Sequence, residues 1–206
     1  MVMSEEMRDK KRLNNKKGFT LAELLIIAAI VGVLVAVSIP IFQKNLERTR
    51  ETVDIQTMRT AASAAVDLYY AGIDTKKKAE AAGLSWNDSG DKEQVNAYGA
   101  YDPKTGKIYK NRPSLPASSK TYGKGTRTNG GTEYIMGKIE GAYNPEMDYT
   151  KAVIVISIFP KSANPHVDVY WKYNKTDNSV GAKEGDYVGG KESNNIPKYC
   201  IRIYLN

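Results

Sequence analysis

One long apolar stretch stands out in the pattern of hydrophobic and polar positions along this chain. It runs from Phe19 to Phe42, and Glu23 is its only charged residue. As a helix, this stretch would span about 36 Å, which is more than the roughly 30 Å of a bilayer core. A carboxylate inside such a helix costs on the order of 2.5–3.5 kcal/mol, so we expect Glu23 to have a cationic partner. The pattern therefore predicts a membrane-spanning helix over residues 19–42.

The pattern changes directly after Phe42. Residues 43–71 contain no proline or glycine, which predicts that the helix continues beyond the apolar stretch to about residue 72. Apolar side chains recur there at spacings of three and four, as in an amphipathic helix that packs on a globular head: Ile55, Met58, Ala62, Ala65 and Tyr69. The charged residues between Lys44 and Asp54 include the favourable pairs Glu47–Arg50 and Arg50–Asp54. We expect them to form a solvated face, or to meet the same face of a neighbour in a filament. Pro40 lacks an N–H group, so a bend is expected around residues 36–40.

The pattern over residues 73–206 predicts one head domain with short strands. The β-branched run 152–159 is expected to be the central strand, covered on both faces. Alternating patterns over 167–173 and 199–205 predict two further strands, and a reverse turn at 102–106 separates strands at 97–101 and 107–110. A short helix is expected from about residue 76, with Gly83 at its end. The fold class is α+β, with a long N-terminal helix packed on an antiparallel β-sheet.

The residues before the apolar stretch are basic. Met1 to Gly18 carry six basic and three acidic residues, a net charge of +3, which predicts a cytoplasmic position. A secretory signal would place its small-residue cleavage site after the apolar core. Here the small residue at the junction, Gly18, comes before the core. This order differs from that of an ordinary secretory signal.

The sequence Gly18-Phe19-Thr20-Leu21-Ala22-Glu23 resembles the processing motif of type IV pilins and pseudopilins, and the resemblance extends from Lys16 to about Pro40. It implies that residues 1–18 are a leader, which a prepilin peptidase removes by cleavage between Gly18 and Phe19 before it methylates the Phe19 amine. The apolar helix would then stay with the mature protein. It also implies assembly through Glu23 and the helix-bending Pro40, with Glu23 meeting the Phe19 amine of a neighbouring subunit. Ala22 departs from the larger aliphatic residue that is usual in the family, and the leader is longer than in many major pilins.

The same resemblance implies a life cycle and partners. The precursor would be a single-pass protein of the cytoplasmic membrane with its head outside. It would be handed to a pilus assembly platform and polymerise with itself into a helical, extracellular filament used for adhesion, motility or DNA uptake. The alternatives are a pseudopilin of a type II secretion or competence machine, or a minor pilin that binds DNA. A membrane-anchored enzyme would need a catalytic constellation that the head does not show.

Candidate chemistry is otherwise sparse, and we expect no cofactor and no metal. Cys200 is the only cysteine, so no intramolecular disulfide can hold the polar segment 174–195, which must be held by other means or stay mobile. The single histidine, His166, is interpreted as a turn residue at a strand entrance. Asn174 begins a glycosylation sequon but is interpreted as a loop residue. Three loop carboxylates suggest calcium as a minor alternative to plain solvation: Asp177, Glu184 and Asp186.

Charge is unevenly distributed over the head. Loss of the leader lowers the net charge from +7 to +4, yet the segment 98–132 alone carries +6. Its cations are Lys104, Lys107, Lys110, Arg112, Lys120, Lys124 and Arg127, and they alternate with Tyr101, Tyr109 and Tyr122. Cations beside aromatic rings favour phosphate contacts and base stacking, so the segment is a candidate site for DNA or another polyanion. The alternative is a solvated loop, made mobile by glycines such as Gly123 and Gly125, that contacts the next subunit.

Overall fold

The computed structural model describes residues 18–126, 141–192 and 196–205. It divides the chain into two compact units, residues 1–42 and 43–206. Helix α1 (Leu21–Tyr70) begins in the first unit and ends in the second. The predicted continuation of the helix beyond the apolar stretch is therefore confirmed.

The described part of the first unit is helical from Leu21 onward, and its apolar side chains are exposed within the chain. By length and composition α1 can cross a membrane, with a mean hydropathy of 3.0 over its most apolar 18 residues. The helix is continuous through Pro40. The bend expected there stays a prediction.

In the second unit, the α1 stripe formed by Ile55, Met58, Ala62 and Ala65 is buried, as predicted, and Tyr69 packs at its margin. A second helix, α2 (Lys76–Ala81), follows. It ends before Gly83, whose φ of 77° is a left-handed conformation that glycine adopts without strain. The predicted short helix and its end at Gly83 are thus confirmed.

The sheet of the second unit is antiparallel throughout and has six strands in the described residues. They are β1 (Ser85–Asn87), β2 (Asn96–Asp102), β3 (Lys107–Tyr109), β4 (Ala152–Phe159), β5 (His166–Tyr173) and β6 (Ile201–Tyr204). The spatial order is β1-β2-β4-β5-β6, and β3 also pairs with β2. Strand β4 is central, as its β-branched run predicts. The connections within the described ranges contain three short 3₁₀ helices, at Lys92–Gln94, Arg112–Ser114 and Ala117–Ser119.

Alternate residues of the strands point to the two faces of the sheet. The α1 face carries Ile154, Ile156 and Val169, which join the α1 stripe in the main core. The opposite face, here called the outer face, carries Val153 and Tyr170 and is partly covered by loops, with Leu115 packed on Val153. The α+β fold class, with a long helix packed on an antiparallel sheet, is therefore confirmed.

The C-terminal loop is held without a disulfide. The buried Asp177 carboxylate lies 2.9 Å from the Lys151 ammonium. The Tyr173 N–H donates to the Asp186 carbonyl and the Val188 N–H to the Trp171 carbonyl, which fastens the loop to the end of β5. Cys200 is a free thiol beside β6, and burial raises its pKa to about 12. Ion pairing and backbone hydrogen bonds thus take the place of a covalent link.

Candidate functional site

Thr20 and Glu23 form a capping box at the start of α1. The Thr20 N–H and hydroxyl donate to Glu23 Oε2 at 2.8 and 2.9 Å, and the Glu23 N–H donates back to Thr20 Oγ1 at 3.2 Å. This reciprocal arrangement satisfies backbone donors that the first helical turn leaves free. The spacing Thr-x-x-Glu is the sequence signal of a capping box. The prediction of a cationic partner for Glu23 did not take this signal into account. Within the described residues, Glu23 has Thr20 rather than a cation as its partner.

The proposed processing site lies just outside the helix. Gly18 and Phe19 precede Leu21, and the Phe19 side chain is 75% exposed. A Cβ added at Gly18 would meet no described atom within 4 Å. The folded chain therefore has no packing need for glycine at this position.

An acidic face of α1 is buried at the start of the second unit. Glu47, Glu51 and Asp54 follow one another at spacings of four and three, and the side chains of Glu47 and Asp54 are almost inaccessible. The expectation of a solvated charged face is therefore wrong for these three residues. The predicted pairing of Glu47 with Arg50 is present at 3.3 Å. Asp54, in contrast, has partners far away in sequence.

The partners of Asp54 and Glu47 are in the loop 123–126, which lies across this face of the helix. The Lys124 N–H donates to both Asp54 oxygens, at 2.8 and 2.9 Å, and the Gly125 N–H donates at 2.8 Å. The Tyr143 hydroxyl adds a fourth hydrogen bond, at 3.1 Å. Thr126 donates to Glu47 through both its N–H and its hydroxyl. Burial nevertheless raises the pKa of Asp54 to about 6, because these hydrogen bonds only partly offset the cost of removing its charge from water.

Glycine is required in this loop for close packing. A Cβ at Gly123 would lie 2.0 Å from the Tyr149 carbonyl oxygen, and one at Gly125 would lie 2.0 Å from the Tyr143 hydroxyl. The sequence interpretation of these glycines as a source of mobility is therefore wrong. They let the loop approach the buried carboxylates closely enough to donate to them.

The candidate polyanion residues have different environments. Lys104, Lys107, Lys110 and Lys124 are exposed, whereas Lys120 donates to the Pro113 carbonyl. Arg112 is mostly buried and donates to the Tyr173 carbonyl at 2.6 Å and to Asn174 Oδ1 at 3.2 Å. Arg127 lies outside the described residues.

Two of the three interleaved aromatic rings are unavailable for base stacking. Tyr101 is buried, and Tyr122 packs on Trp171 in the core with its hydroxyl bonded to the Tyr101 carbonyl. The stacking part of the polyanion interpretation is therefore wrong for Tyr101 and Tyr122. Arg112, in turn, acts as a structural contact between its own loop and the end of β5.

The remaining candidates have local partners. His166 begins β5, where its Nδ1 lies 2.8 Å from the Asn164 carbonyl and its ring stacks on Phe159. The Asn174 side chain is buried and donates to the Lys120 carbonyl, as expected of a loop residue rather than a glycan acceptor. Asp177 pairs with Lys151, and Glu184 lies 3.8 Å from Arg112. No cluster of three or more potential metal ligands occurs among residues 18–126, 141–192 and 196–205.

Comparisons with known proteins bear on the N-terminal segment. Residues 13–39 match the family model described as the prokaryotic N-terminal methylation motif. A fimbrial protein of Pseudomonas aeruginosa is 43% identical over 54 residues, which cover 25% of this chain and 35% of that protein. A type IV major alpha-pilin of Moraxella bovis is 39% identical over 57 residues, or 26% of this chain and 36% of that protein.

The chain thus spans about a third of the length of the curated relatives that it matches. No solved structure matches it. The similarity to the methylation motif and to these pilins lies in the N-terminal part of the chain.

Proposed function

We propose that this protein is a structural subunit of a type IV pilus, polymerised through its N-terminal helix into a surface filament. The observation that carries the proposal is the exposure of the whole apolar surface of α1 before Gln43. Fifteen large hydrophobic side chains between Phe19 and Phe42 are exposed within the single chain. Burying each contributes about 1.5–3 kcal/mol, so covering this surface is worth tens of kcal/mol. A membrane covers it in the precursor, and neighbouring subunits cover it in the filament.

Processing follows from the same segment. Gly18 has no packing role among the described residues. We therefore propose that the absence of a side chain at this position lets a prepilin peptidase approach the backbone closely. Cleavage after Gly18 removes the basic leader 1–18 and creates an amine at Phe19, with a pKa of roughly 7.7–8.0. This amine is mostly cationic at neutral pH. It is the cation that Glu23 of an adjacent subunit would meet.

The capping box leaves Glu23 able to make that contact. Both hydrogen bonds from Thr20 go to Oε2, and a carboxylate can accept further hydrogen bonds at Oε1. An incoming subunit placed in the wrong axial register would keep this charge in an apolar environment without a cation, which is strongly unfavourable. Glu23 would therefore set the register of the filament. Gly32, whose added Cβ would meet nothing in the chain, suits close approach of a neighbouring helix.

The test exploits the difference between capping and charge. Glu23→Gln keeps a side chain that serves in a capping box but removes the charge. Thr20→Ala weakens the cap by about 1 kcal/mol and keeps the charge. We expect Glu23→Gln cells to insert and cleave the protein but to make few filaments, while Thr20→Ala cells make nearly normal numbers. Normal filament numbers from Glu23→Gln cells would refute the role in register.

Two finer assignments belong to this proposal. The subunit is assembled by a membrane platform, and the filament serves adhesion, motility or DNA uptake. The second candidate is a pseudopilin of a secretion or competence machine. Abundance decides between them: a major pilin dominates material sheared from the cell surface, whereas a pseudopilin or a minor pilin is scarce or absent there.

Polyanion binding is proposed only for the exposed lysines at the β2–β3 turn, Lys104, Lys107 and Lys110, which have no ion pair among the described residues. Contact with phosphates would make log affinity fall by roughly 0.7–0.9 per contact for each tenfold rise in salt concentration. Filaments carrying all three lysines as glutamine should show a flatter salt dependence of duplex DNA binding than the parent. An unchanged salt dependence would remove DNA from the list of partners.

A further inference from the structure

The outer face of the sheet carries a groove of about 1180 Å³. Strands β2, β4 and β5 supply its floor, and the loop after β5 supplies one wall. Side chains that shape its central part are Tyr98, Ser157, Asp168, Tyr170, Lys172 and Tyr187. The groove is somewhat larger than typical small-molecule sites, which measure roughly 300–1,000 Å³, and it combines aromatic surface with a few polar groups. Nothing in the assembly function uses it.

Lys172 is the unusual side chain of this groove. It is half-buried, and its ammonium lies 4.1 Å from the centre of the Tyr187 ring and 5.9 Å from that of Tyr170. No carboxylate of the described residues lies within 4.0 Å of it. Burial, and then the positive charges of Arg112 and Lys191, lower its pKa, and the negative charge of Asp186 offsets part of this effect. The site therefore holds a partly desolvated cation that an external anion would stabilise.

The neighbouring polar groups already have partners. Asp168 accepts two hydrogen bonds from the Arg202 guanidinium, both at 2.7 Å, and Ser157 Oγ lies 3.0 Å from the Tyr170 hydroxyl. Asp186 and Lys191 also line the groove and act electrostatically on Lys172, so these three side chains together carry a formal charge of +1. Asp91 and Glu93 line the other end. A long polyanion such as nucleic acid would be repelled there, whereas a ligand with one acidic group would not.

The floor also restricts how a ligand can bind. Strand β4 is paired with β2 and β5 on its two edges, and β5 is paired with β4 and β6. A peptide therefore cannot add to these strands through backbone hydrogen bonds. A ligand must instead use the side chains, which offer tyrosine rings together with hydroxyl and amide groups. This combination suits a ring that has an apolar face and a polar rim.

We propose that the groove binds a saccharide bearing a carboxylate, with the carboxylate paired to Lys172 and the sugar ring lying on the half-exposed rings of Tyr98 and Tyr187. Sialic acid and uronic acids have this chemistry, whether free or at the end of a glycolipid. The site lies within one subunit, so it does not depend on polymerisation. It would give each exposed head a means of attachment to acidic glycans.

The test uses the full chain in detergent micelles, with 3′-sialyllactose and a glucuronate-containing disaccharide as acidic probes and lactose as the neutral control. We expect the acidic probes to bind at least tenfold more tightly than lactose. Lys172→Met keeps the length of the side chain without its charge, and it should abolish this preference. Lys175→Met, an exposed lysine outside the groove, should leave it unchanged.

Folding and ligand source are controlled separately. Thermal unfolding of Lys172→Met should occur at the parent's temperature or above it, because a half-buried charge is removed. Tyr187→Leu should weaken binding of the acidic probes while Lys172 is retained. Equal binding of acidic and neutral saccharides, an unchanged preference in Lys172→Met, or no binding at millimolar concentration would overturn the proposal. A further experiment measures binding to vesicles that contain gangliosides. If the protein binds these vesicles but not the soluble acidic probes, and Lys172→Met still binds the vesicles, the proposal is also overturned, because the protein would then recognise a lipid surface rather than the sugar acid.

Discussion

The burial of Asp54 predicts a specific pH dependence of folding. Its pKa in the folded protein is about 6, compared with an ordinary value near 3.8, and burial is the main cause. A carboxyl group whose pKa is higher in the folded state binds more protons there than in the unfolded state. Its contribution to the free energy of unfolding is therefore fully present below about pH 4 and is lost as the pH rises through about 6.

The size of the effect follows from the same values. A rise from 3.8 to about 6 corresponds to about 3 kcal/mol at about 1.4 kcal/mol per pH unit. Asp54→Asn cannot titrate, so it lacks this contribution. We expect the unfolding free energy of the parent, minus that of Asp54→Asn, to fall by about 2.5 kcal/mol between about pH 4 and pH 7.5. Taking this difference removes the contributions of the titrating groups that the parent and the variant share.

Urea titration followed by tryptophan fluorescence is the assay. Both tryptophans, Trp86 and Trp171, lie in the second unit, and Trp171 is buried against Tyr122 and Tyr149, so the signal reports on the head. The chain stays in detergent micelles throughout. Glu93→Gln is the control of opposite sign, because hydrogen bonds from Ser162 and Ala163 lower the pKa of Glu93. If the unfolding free energy of the parent minus that of Asp54→Asn does not change with pH, or rises with pH, Asp54 is not a buried carboxyl group with a raised pKa.

Two further predictions concern the loops that the structure shows to be structural. Gly125→Ala should lower the unfolding free energy by about 1–3 kcal/mol, because its Cβ would collide with the Tyr143 hydroxyl beside Asp54; a melting temperature equal to the parent's would contradict this. Arg112→Gln should cost about 1.5–3 kcal/mol through loss of its hydrogen bonds to Tyr173 and Asn174, whereas Lys110→Gln, on the exposed part of the same segment, should change stability by less than about 0.5 kcal/mol. Equal urea midpoints for these two variants would show that Arg112 has no structural role.

The elements that the sequence predicted are those whose signal is local. The β-branched run of β4 and the spacing of Ile55, Met58, Ala62 and Ala65 each depend on a periodicity that neighbouring residues display. The reverse turn between β2 and β3 was likewise predictable, since Asp102 and Gly106 are typical turn residues. Gly106 adopts a φ of 68° there, and the Lys104 N–H donates to Asp102.

The features that were missed depend on contacts between distant residues. Asp54 can be buried because its carboxylate accepts hydrogen bonds from backbone N–H groups of a loop about 70 residues later in the chain. The spacing of residues along the helix does not predict these partners. Gly125 resembles a flexible position in the sequence, yet its function is to let Tyr143 and Asp54 approach. Arg112 resembles one more cation in a basic segment, although its partners are at the end of β5. Charge and glycine content therefore gave the wrong interpretation wherever tertiary contacts decided the outcome.

The most direct test of the central claim is the covalent state of the chain in filaments. Filaments sheared from the cell surface should be analysed by intact mass and by N-terminal sequencing. We expect a chain that begins at Phe19, carries a methylated α-amine and has lost residues 1–18. A surface protein that retains Lys16 and Lys17, or that begins at any other residue, would contradict both the processing site and the pilin assignment.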